Sequence, residues 1–187
     1  MRKVMLVLMG CLAAAVAVEF ACAQEANPPT PAPAPAAATM LYDFENEDDV
    51  KFCEAKADTE TAAVAEHATS GKQSLKVTMK GGADWPGLYA EKMPVKDWTG
   101  FAALKFDVFA EGDVTLGMTI KDPNSKSFET RYNNDKIQLT KGANTVVITL
   151  GDVADAIDIK KIKSISIFCY KPEKDVTLFV DNMRLEK

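Results

Sequence analysis

The sequence predicts an all-β fold of antiparallel strands that pack as a sandwich or a barrel, and three observations lead to that class. Apolar and polar residues alternate with a period of two in one segment after another, as they do in half-buried strands. These segments are short and are separated by turn signals rich in Gly, Asn and Asp. The chain has 187 residues, which suits a single domain with a substantial core.

The N-terminus has the three parts of a secretory signal peptide, which is predicted to cover residues 1–23. Two basic residues precede an apolar run from Val4 to Val18, and small residues lead to a cleavage site before Gln24. The run is too short to favour a membrane span. The chain is therefore expected to be exported to the periplasm, cell envelope or extracellular space, without stable membrane insertion. Lipoprotein cleavage beside Cys11, or an uncleaved anchor, are the alternatives.

Residues 24–39 are predicted to form a linker rich in Pro and Ala. This stretch holds five of the nine prolines of the chain. Such a composition favours extended polyproline-II and cannot build a core. The folded domain is expected over residues 40–187.

The strands predicted by the alternation follow one another through the rest of the chain. They are expected at or near Thr61–Glu66, Leu75–Met79, Ala102–Val108, Val114–Ile120, Val146–Leu150, Ile165–Cys169 and Val176–Val180. One short helix is expected around Asp152–Ile157. Many short strands at this spacing are typical of a sandwich or a barrel.

Charge and cysteine content limit the partners. The net charge of −5 argues against nucleic acid and against an anionic membrane as partner. The domain is also expected to be a monomer. Removal of the signal peptide would leave Cys53 and Cys169 in an oxidising compartment. They either form a disulfide or remain two buried thiols.

Several segments together resemble the jelly-roll β-sandwich of carbohydrate-binding modules in the galactose-binding-like superfamily. The segments that carry the resemblance are Tyr42–Glu45, Ser70–Val77, Asp97–Val108, Lys141–Asn144 and Leu178–Leu185. The resemblance implies a non-catalytic domain that binds a polysaccharide or glycan on one sheet face. A structural or protein-interaction module of the cell envelope with the same fold is the alternative. A more remote resemblance is to an assembly-factor domain of respiratory complexes.

The resemblance also implies a structural Ca²⁺ ion near the first and last strands. The matching residues are Asp43, Glu45 and Asp181. Carboxylates are the hard oxygen ligands that Ca²⁺ takes. Asp43 and Glu45 lie two residues apart, so both are expected to project from the same face of a strand. The alternative is that they are solvated charges on an edge strand.

The ligand face implied by the resemblance is a sheet that contains strands near Leu88, Thr115, Glu129 and Ser164. Small outward residues such as Gly117 and Ser166 would form a groove floor. The candidate ligand-binding residues are Trp85, Tyr89, Arg131, Tyr132, Phe168 and Tyr170. Exposed aromatic rings can stack on sugars, and an Arg can fork onto hydroxyls or a carboxylate. One alternative is that a loop covers Phe168 and Tyr170, and another is that Trp85 packs inward. Trp98 is expected in the core.

Catalytic machinery is not evident in the sequence. His67 is the sole histidine, which argues against a histidine-based zinc site, and no nucleophile motif accompanies it. A pair of carboxylates acting as a glycoside hydrolase or lyase is the enzymatic alternative. The domain is therefore expected not to be an enzyme.

Overall fold

The computed structural model describes residues 38–55 and 58–187. The predicted signal peptide and residues 24–37 of the predicted linker lie outside the described residues. Within the described part of the chain, no helix has the length and apolar character needed to cross a bilayer.

Strands account for most of the regular structure of the described residues. The elements in chain order are β1 (Thr39–Tyr42), α1 (Glu47–Phe52), β2 (Cys53–Ala55), β3 (Thr59–Val64), β4 (Ser74–Met79), β5 (Gly87–Ala90), β6 (Ala103–Ala110), β7 (Val114–Lys121), β8 (Tyr132–Leu139), β9 (Gly142–Thr149), α2 (Leu150–Ala156), a 3-10 helix (Ile159–Lys161), β10 (Ser164–Phe168) and β11 (Val176–Glu186).

The strands form two antiparallel sheets. Sheet A has the order β3-β4-β11-β6-β9, and β1 pairs with β11 as well. Sheet B has the order β2-β5-β10-β7-β8. Most neighbours within each sheet are far apart in sequence, which is typical of sandwiches with long connections between the sheets. The predicted all-β antiparallel sandwich is confirmed.

The core lies between the two sheets and is filled by one phase of each strand. In β6, Leu104, Phe106 and Val108 are buried while their neighbours are half-buried. From sheet B, Ile165 and Ile167 enter the same core cluster. Because successive side chains in a strand point to opposite faces, the other phase of each strand must lie on the outside of the sandwich.

Trp98 closes the core from the segment that follows β5. Its ring is 0% exposed, as predicted. The indole Nε1 donates a hydrogen bond of 3.0 Å to the carbonyl of Val95, and the Trp98 amide donates one of 2.9 Å to the carbonyl of Ile159. These bonds satisfy the polar atoms that accompany the buried ring.

Two short helices flank the strands. α2 corresponds to the predicted helix and starts two residues earlier than expected. α1 was not predicted, because six residues are too few for a helical period to be seen. Asn46 Oδ1 accepts a hydrogen bond of 3.0 Å from the Asp49 amide, and the first turn is acidic. This cap and the favourable charge at the N-terminus stabilise α1.

Cys169 is a buried, free thiol. The disulfide alternative is therefore not formed at Cys169, while the side chain of Cys53 lies outside the described part of the structure. Burial raises the pKa of the Cys169 thiol to about 11. A thiol with this pKa is a poor nucleophile at neutral pH.

The two tryptophans give a matched test of the core. Trp98→Ala should lower the free energy of unfolding by about 3–5 kcal/mol, because it removes a fully buried ring. Trp85→Ala should lower it by about 1 kcal/mol or less, since the Trp85 side chain is 54% exposed. Chemical denaturation of both variants measures the two values. Equal losses would contradict the assignment of Trp98 to the core.

Candidate functional site

The outward face of sheet B carries a row of residues in cross-strand register. Tyr89 on β5 lies opposite Ser166 on β10, Ser166 opposite Thr119 on β7, and Thr119 opposite Asn133 on β8. The alternate residues of β10, including Ile167, belong to the core. The row therefore runs across four of the five strands of sheet B, on the side away from the core.

Small hydroxyl residues form the floor of this face. Ser164, Ser166 and Thr119 are buried although they lie on the outer side, because larger side chains flank them. The Tyr89 hydroxyl donates a hydrogen bond of 3.4 Å to Ser164 Oγ. Lys121 Nζ lies 5.8 Å from the centre of the Tyr89 ring, within range of a cation–π contact.

Phe168 lies across the sheet because both of its cross-strand neighbours are glycines. It pairs with Gly87 on β5 and with Gly117 on β7. A Cβ atom at Gly117 would overlap the end of the Phe168 ring, and one at Gly87 would overlap the backbone of β10. The absence of side chains at these positions lets the ring lie flat over β7.

Three aromatic rings form a cluster at this end of the sheet. The Trp85 and Phe168 ring centres are 5.4 Å apart at an interplanar angle of 69°, and those of Trp85 and Tyr170 are 4.5 Å apart at 45°. Trp85 is 54% exposed and Tyr170 is 61% exposed. The loop-covered alternative is therefore wrong for Tyr170, as is the inward-packed alternative for Trp85. We call these three residues the aromatic cluster.

Arg131 lies beside the row of outward residues on sheet B and contacts both Asn133 and Phe128. Its Nε donates a hydrogen bond of 2.9 Å to Asn133 Oδ1, and its guanidinium carbon lies 5.1 Å from the centre of the Phe128 ring. The Asn133 amide nitrogen in turn donates to the carbonyls of Phe128 and Arg131, at 2.8 and 3.2 Å. Asn133 therefore positions Arg131.

The loop between β7 and β8, which carries Arg131, is anchored by a buried carboxylate. Asp122 Oδ1 accepts hydrogen bonds from the Asn124 amide and the Ser125 hydroxyl, and Oδ2 accepts one from the Asp158 amide. Burial alone would raise the pKa of Asp122, but these hydrogen bonds outweigh it and the pKa is lowered. The ionised carboxylate thus fixes the start of the loop.

A pocket of about 140 Å³ opens between these groups. It is lined by Trp85, Thr119, Lys121, Arg131, Ser166 and Phe168. A larger cavity of about 630 Å³ lies among the loops that precede β7 and β11. Tyr170 borders it, but its wall consists mainly of turn residues with several carboxylates. The smaller pocket is the better candidate site because aromatic, hydroxyl and cationic side chains converge there.

The structure places five of the six predicted ligand residues on or beside the outward face of sheet B. Trp85, Arg131 and Phe168 line the pocket, while Tyr89 and Tyr170 flank it. These five residues remain predictions as ligand contacts.

Tyr132 lies on the other face of sheet B. It pairs with Ile120, a core residue, and packs against the core cluster. Burial raises the pKa of its hydroxyl. The predicted position of Tyr132 is corrected, because β8 begins at Tyr132 rather than near Glu129 and its first residue points inward.

The three residues predicted to bind Ca²⁺ do not form a group of metal-ligating side chains in the described part of the chain. β1 ends at Tyr42 and Phe44 has φ of 57°, so the expectation that Asp43 and Glu45 share one strand face is wrong. Each carboxylate has its own amide partners. Glu45 Oε1 accepts from the amides of Lys72 and Gln73, and Asp181 Oδ2 from those of Thr69 and Ser70. Over residues 38–55 and 58–187, no three His, Cys, Asp or Glu side chains are grouped to hold a metal ion.

His67 lies on the opposite side of the sandwich. Its ring stacks on Phe109 of β6 with the centres 3.5 Å apart, and Phe109 alternates with the core residues of sheet A. His67 is exposed there. The sole histidine is therefore remote from the pocket on sheet B.

Two residues of the site were missed at the level of the sequence. Lys121 shares the strand phase of Thr119, so the alternation of β7 was a sufficient signal for it. Asn133 had no such signal, because its role depends on the conformation of the loop that precedes β8.

The arrangement defines a class of protein, a β-sandwich binding domain with an aromatic and cationic pocket on one sheet. The sequence from residue 27 to residue 184 matches the profile described as carbohydrate binding domain (family 11). This chain belongs to that family of carbohydrate-binding domains. No curated protein matches the sequence significantly.

Solved structures share the fold. A family 11 carbohydrate-binding module from Clostridium thermocellum, in complex with a β-1,3-1,4-mixed-linked tetrasaccharide, is similar with a TM-score of 0.62 and 20% identity, over 82% of this chain and 97% of that one. The CBM22-1 xylan-binding domain from Paenibacillus barcinonensis is similar with a TM-score of 0.54 and 16% identity, over 83% and 97%. These matches identify the fold as the jelly roll of carbohydrate-binding modules.

An exo-β-agarase is also similar, with a TM-score of 0.66 and 18% identity over 79% of this chain. The chain spans only 24% of the length of that enzyme.

A glycine substitution tests how Phe168 is held. Gly117→Ala should fold normally but displace the Phe168 ring, because the new Cβ atom occupies the position of the ring. The fluorescence of Trp85, which contacts Phe168, should change. Gly112→Ala is the matched control, since a Cβ atom there meets nothing within 4 Å. Identical emission spectra for the two variants would contradict the close contact between Gly117 and Phe168.

Proposed function

We propose that this chain is an exported, non-catalytic module that binds a polysaccharide along the outward face of sheet B. The observation that carries the proposal is the exposed aromatic cluster beside the pocket. Contiguous exposed apolar surface in a folded protein marks an interaction site. Membership of a family of carbohydrate-binding domains supports a sugar as the ligand.

The polar residues of the pocket suit the hydroxyl groups of a sugar. Ser166 and Thr119 carry hydroxyls, which donate and accept, whereas Lys121 and Arg131 donate only. The aromatic rings supply contact area for the ligand, and the hydrogen bonds from these polar groups fix its orientation. This division between apolar and polar contacts is that of small-molecule sites in general.

The same pocket supports a binding role rather than a catalytic one. Glycoside hydrolysis by the common route needs two carboxyl groups on either side of the scissile bond. Among the residues that the structure describes, the six that line the pocket carry no carboxylate. Export rests on the signal peptide predicted over residues 1–23.

The first ligand to test is a β-1,3-1,4-mixed-linked glucan, the class of ligand bound by the related module from Clostridium thermocellum. Trp85→Ala and Tyr170→Ala should each weaken retention in affinity electrophoresis about tenfold, because each removes an exposed ring from the contact surface. Tyr170→Ala should lower the free energy of unfolding by no more than about 1–2 kcal/mol.

His67→Ala is the matched control, since it removes an exposed ring from the opposite sheet. It should leave retention unchanged. If the wild-type chain is retained by no member of a broad polysaccharide panel, the alternative of a structural or protein-interaction module replaces the proposal.

The same electrophoresis in the presence of EDTA tests the role of Ca²⁺. We expect no change in retention or in the melting temperature, because the carboxylates of Glu45 and Asp181 already accept hydrogen bonds from the chain. A lower melting temperature in EDTA, restored by added Ca²⁺, would show that the domain holds a structural calcium ion after all.

A further inference from the structure

The pocket on sheet B is rich in hydrogen-bond donors. The side chains of Trp85, Lys121 and Arg131 donate hydrogen bonds and accept none. Ser166 and Thr119 are the lining residues that can also accept. Thr119 Oγ1 already lies 3.4 Å from Asn133 Oδ1, to which it donates.

This donor excess matters because a sugar hydroxyl is itself both donor and acceptor. A neutral glycan presents hydroxyl protons that need acceptors, and among the described lining residues only Ser166 and Thr119 offer them. Carboxylate and sulfate groups only accept hydrogen bonds, so they match the donors of the lining more completely. Their negative charge also matches the positive charge of Arg131.

The positive charge of the pocket is a local feature and does not follow from the protein as a whole. The chain carries 22 basic and 27 acidic residues, with a net charge of −5. The described residues that line this pocket nevertheless include two cations and no carboxylate. The nearby Asp84 forms an ion pair of 3.3 Å with Lys171, which limits its effect on the pocket.

The two terminal nitrogens of the Arg131 guanidinium group are positioned to donate a pair of hydrogen bonds. Asn133 holds Nε and Phe128 lies against the guanidinium group. Within the described part of the chain, Arg131 forms no ion pair within 4 Å and its terminal nitrogens donate no hydrogen bond. Glu129, from the same loop, is exposed and acts on Arg131 only at longer range. A guanidinium group held in this way matches the two oxygens of a carboxylate or sulfate.

We infer that the pocket selects a polysaccharide that carries carboxylate or sulfate groups, which the terminal nitrogens of Arg131 bind by paired hydrogen bonds. The inference rests on the proposed function and specifies its ligand class. The aromatic cluster binds the sugar rings of this ligand, and Arg131 selects its charge.

The test compares polymers that differ in charge. Affinity electrophoresis of the full chain is run in polygalacturonate, in its methyl ester, in the sulfated galactan carrageenan and in neutral mixed-linkage β-glucan. The ester keeps the sugar backbone of polygalacturonate but removes its charge. We expect retention by polygalacturonate or carrageenan to exceed retention by the two neutral polymers, and to weaken as the salt concentration is raised. The polymer that is retained identifies carboxylate or sulfate as the group bound.

Substitution of Arg131 identifies the site. Arg131→Gln should weaken binding of the preferred anionic polymer at least about tenfold, and Arg131→Lys should weaken it less, because the charge remains while the fork is lost. Lys76→Gln is the matched control. It removes one positive charge from sheet A, where Lys76 Nζ lies 5.5 Å from the centre of the Phe179 ring. It should change binding less than about twofold. Thermal unfolding checks that all three variants are folded.

The outcomes separate this inference from the proposed function. Equal binding of polygalacturonate and its ester, or preference for the neutral glucan, overturns the selection of anionic glycans and leaves glycan binding in place. Equal losses in Arg131→Gln and Lys76→Gln overturn the role of the pocket. Binding to none of the four polymers overturns this inference, and binding to no member of the broad polysaccharide panel overturns the proposed function as well.

Discussion

The site depends on the alternation of side chains along β10, the central strand of sheet B. Ile165 and Ile167 enter the core, so Ser164, Ser166 and Phe168 must lie on the other side. A slip of one residue in the pairing of β10 would exchange the two sets. The two buried isoleucines prevent it, because the slip would move them out of the core and place the serines in it. The packing that stabilises the sandwich thus also determines which residues lie on the outward face of sheet B.

The second constraint is the pair of glycines beside Phe168. A phenylalanine on an outer face would ordinarily stand up from the sheet. Gly117 instead leaves space for its ring to lie across β7, and the ring contacts Trp85. Gly87 lets β5 approach the backbone of β10 at Phe168. The absence of two side chains therefore shapes the surface around Phe168. The same ring borders the pocket, which Ser166 and Thr119 also line.

The charge of the pocket comes from loop structure as much as from strand phase. Lys121 is the last residue of β7, but Arg131 precedes β8 and depends on the loop for its position. Asp122 anchors one end of that loop and Asn133 holds Arg131 at the other. A cation held by short-range polar contacts can donate to a ligand without losing much conformational entropy on binding. The contacts of Asp122 and Asn133 thus explain how a protein with a negative net charge maintains a pocket rich in hydrogen-bond donors.

The sequence alone determined the all-β class and, in each alternating segment, which residues face the core. These properties follow from the period of two, which is local and is visible in the spacing of apolar residues. The resemblance to carbohydrate-binding modules predicted which strands share the candidate ligand face. The tertiary structure decided the properties that depend on where a strand begins or ends and on which segments of the chain contact each other. It turned Tyr132 inward, because β8 starts at that residue, and it took Asp43 and Glu45 off a common strand face, because β1 ends at Tyr42. It also gave the carboxylates of Glu45 and Asp181 backbone amides as hydrogen-bond partners. Strand ends and loop contacts have no periodic signal, so only the folded chain shows them.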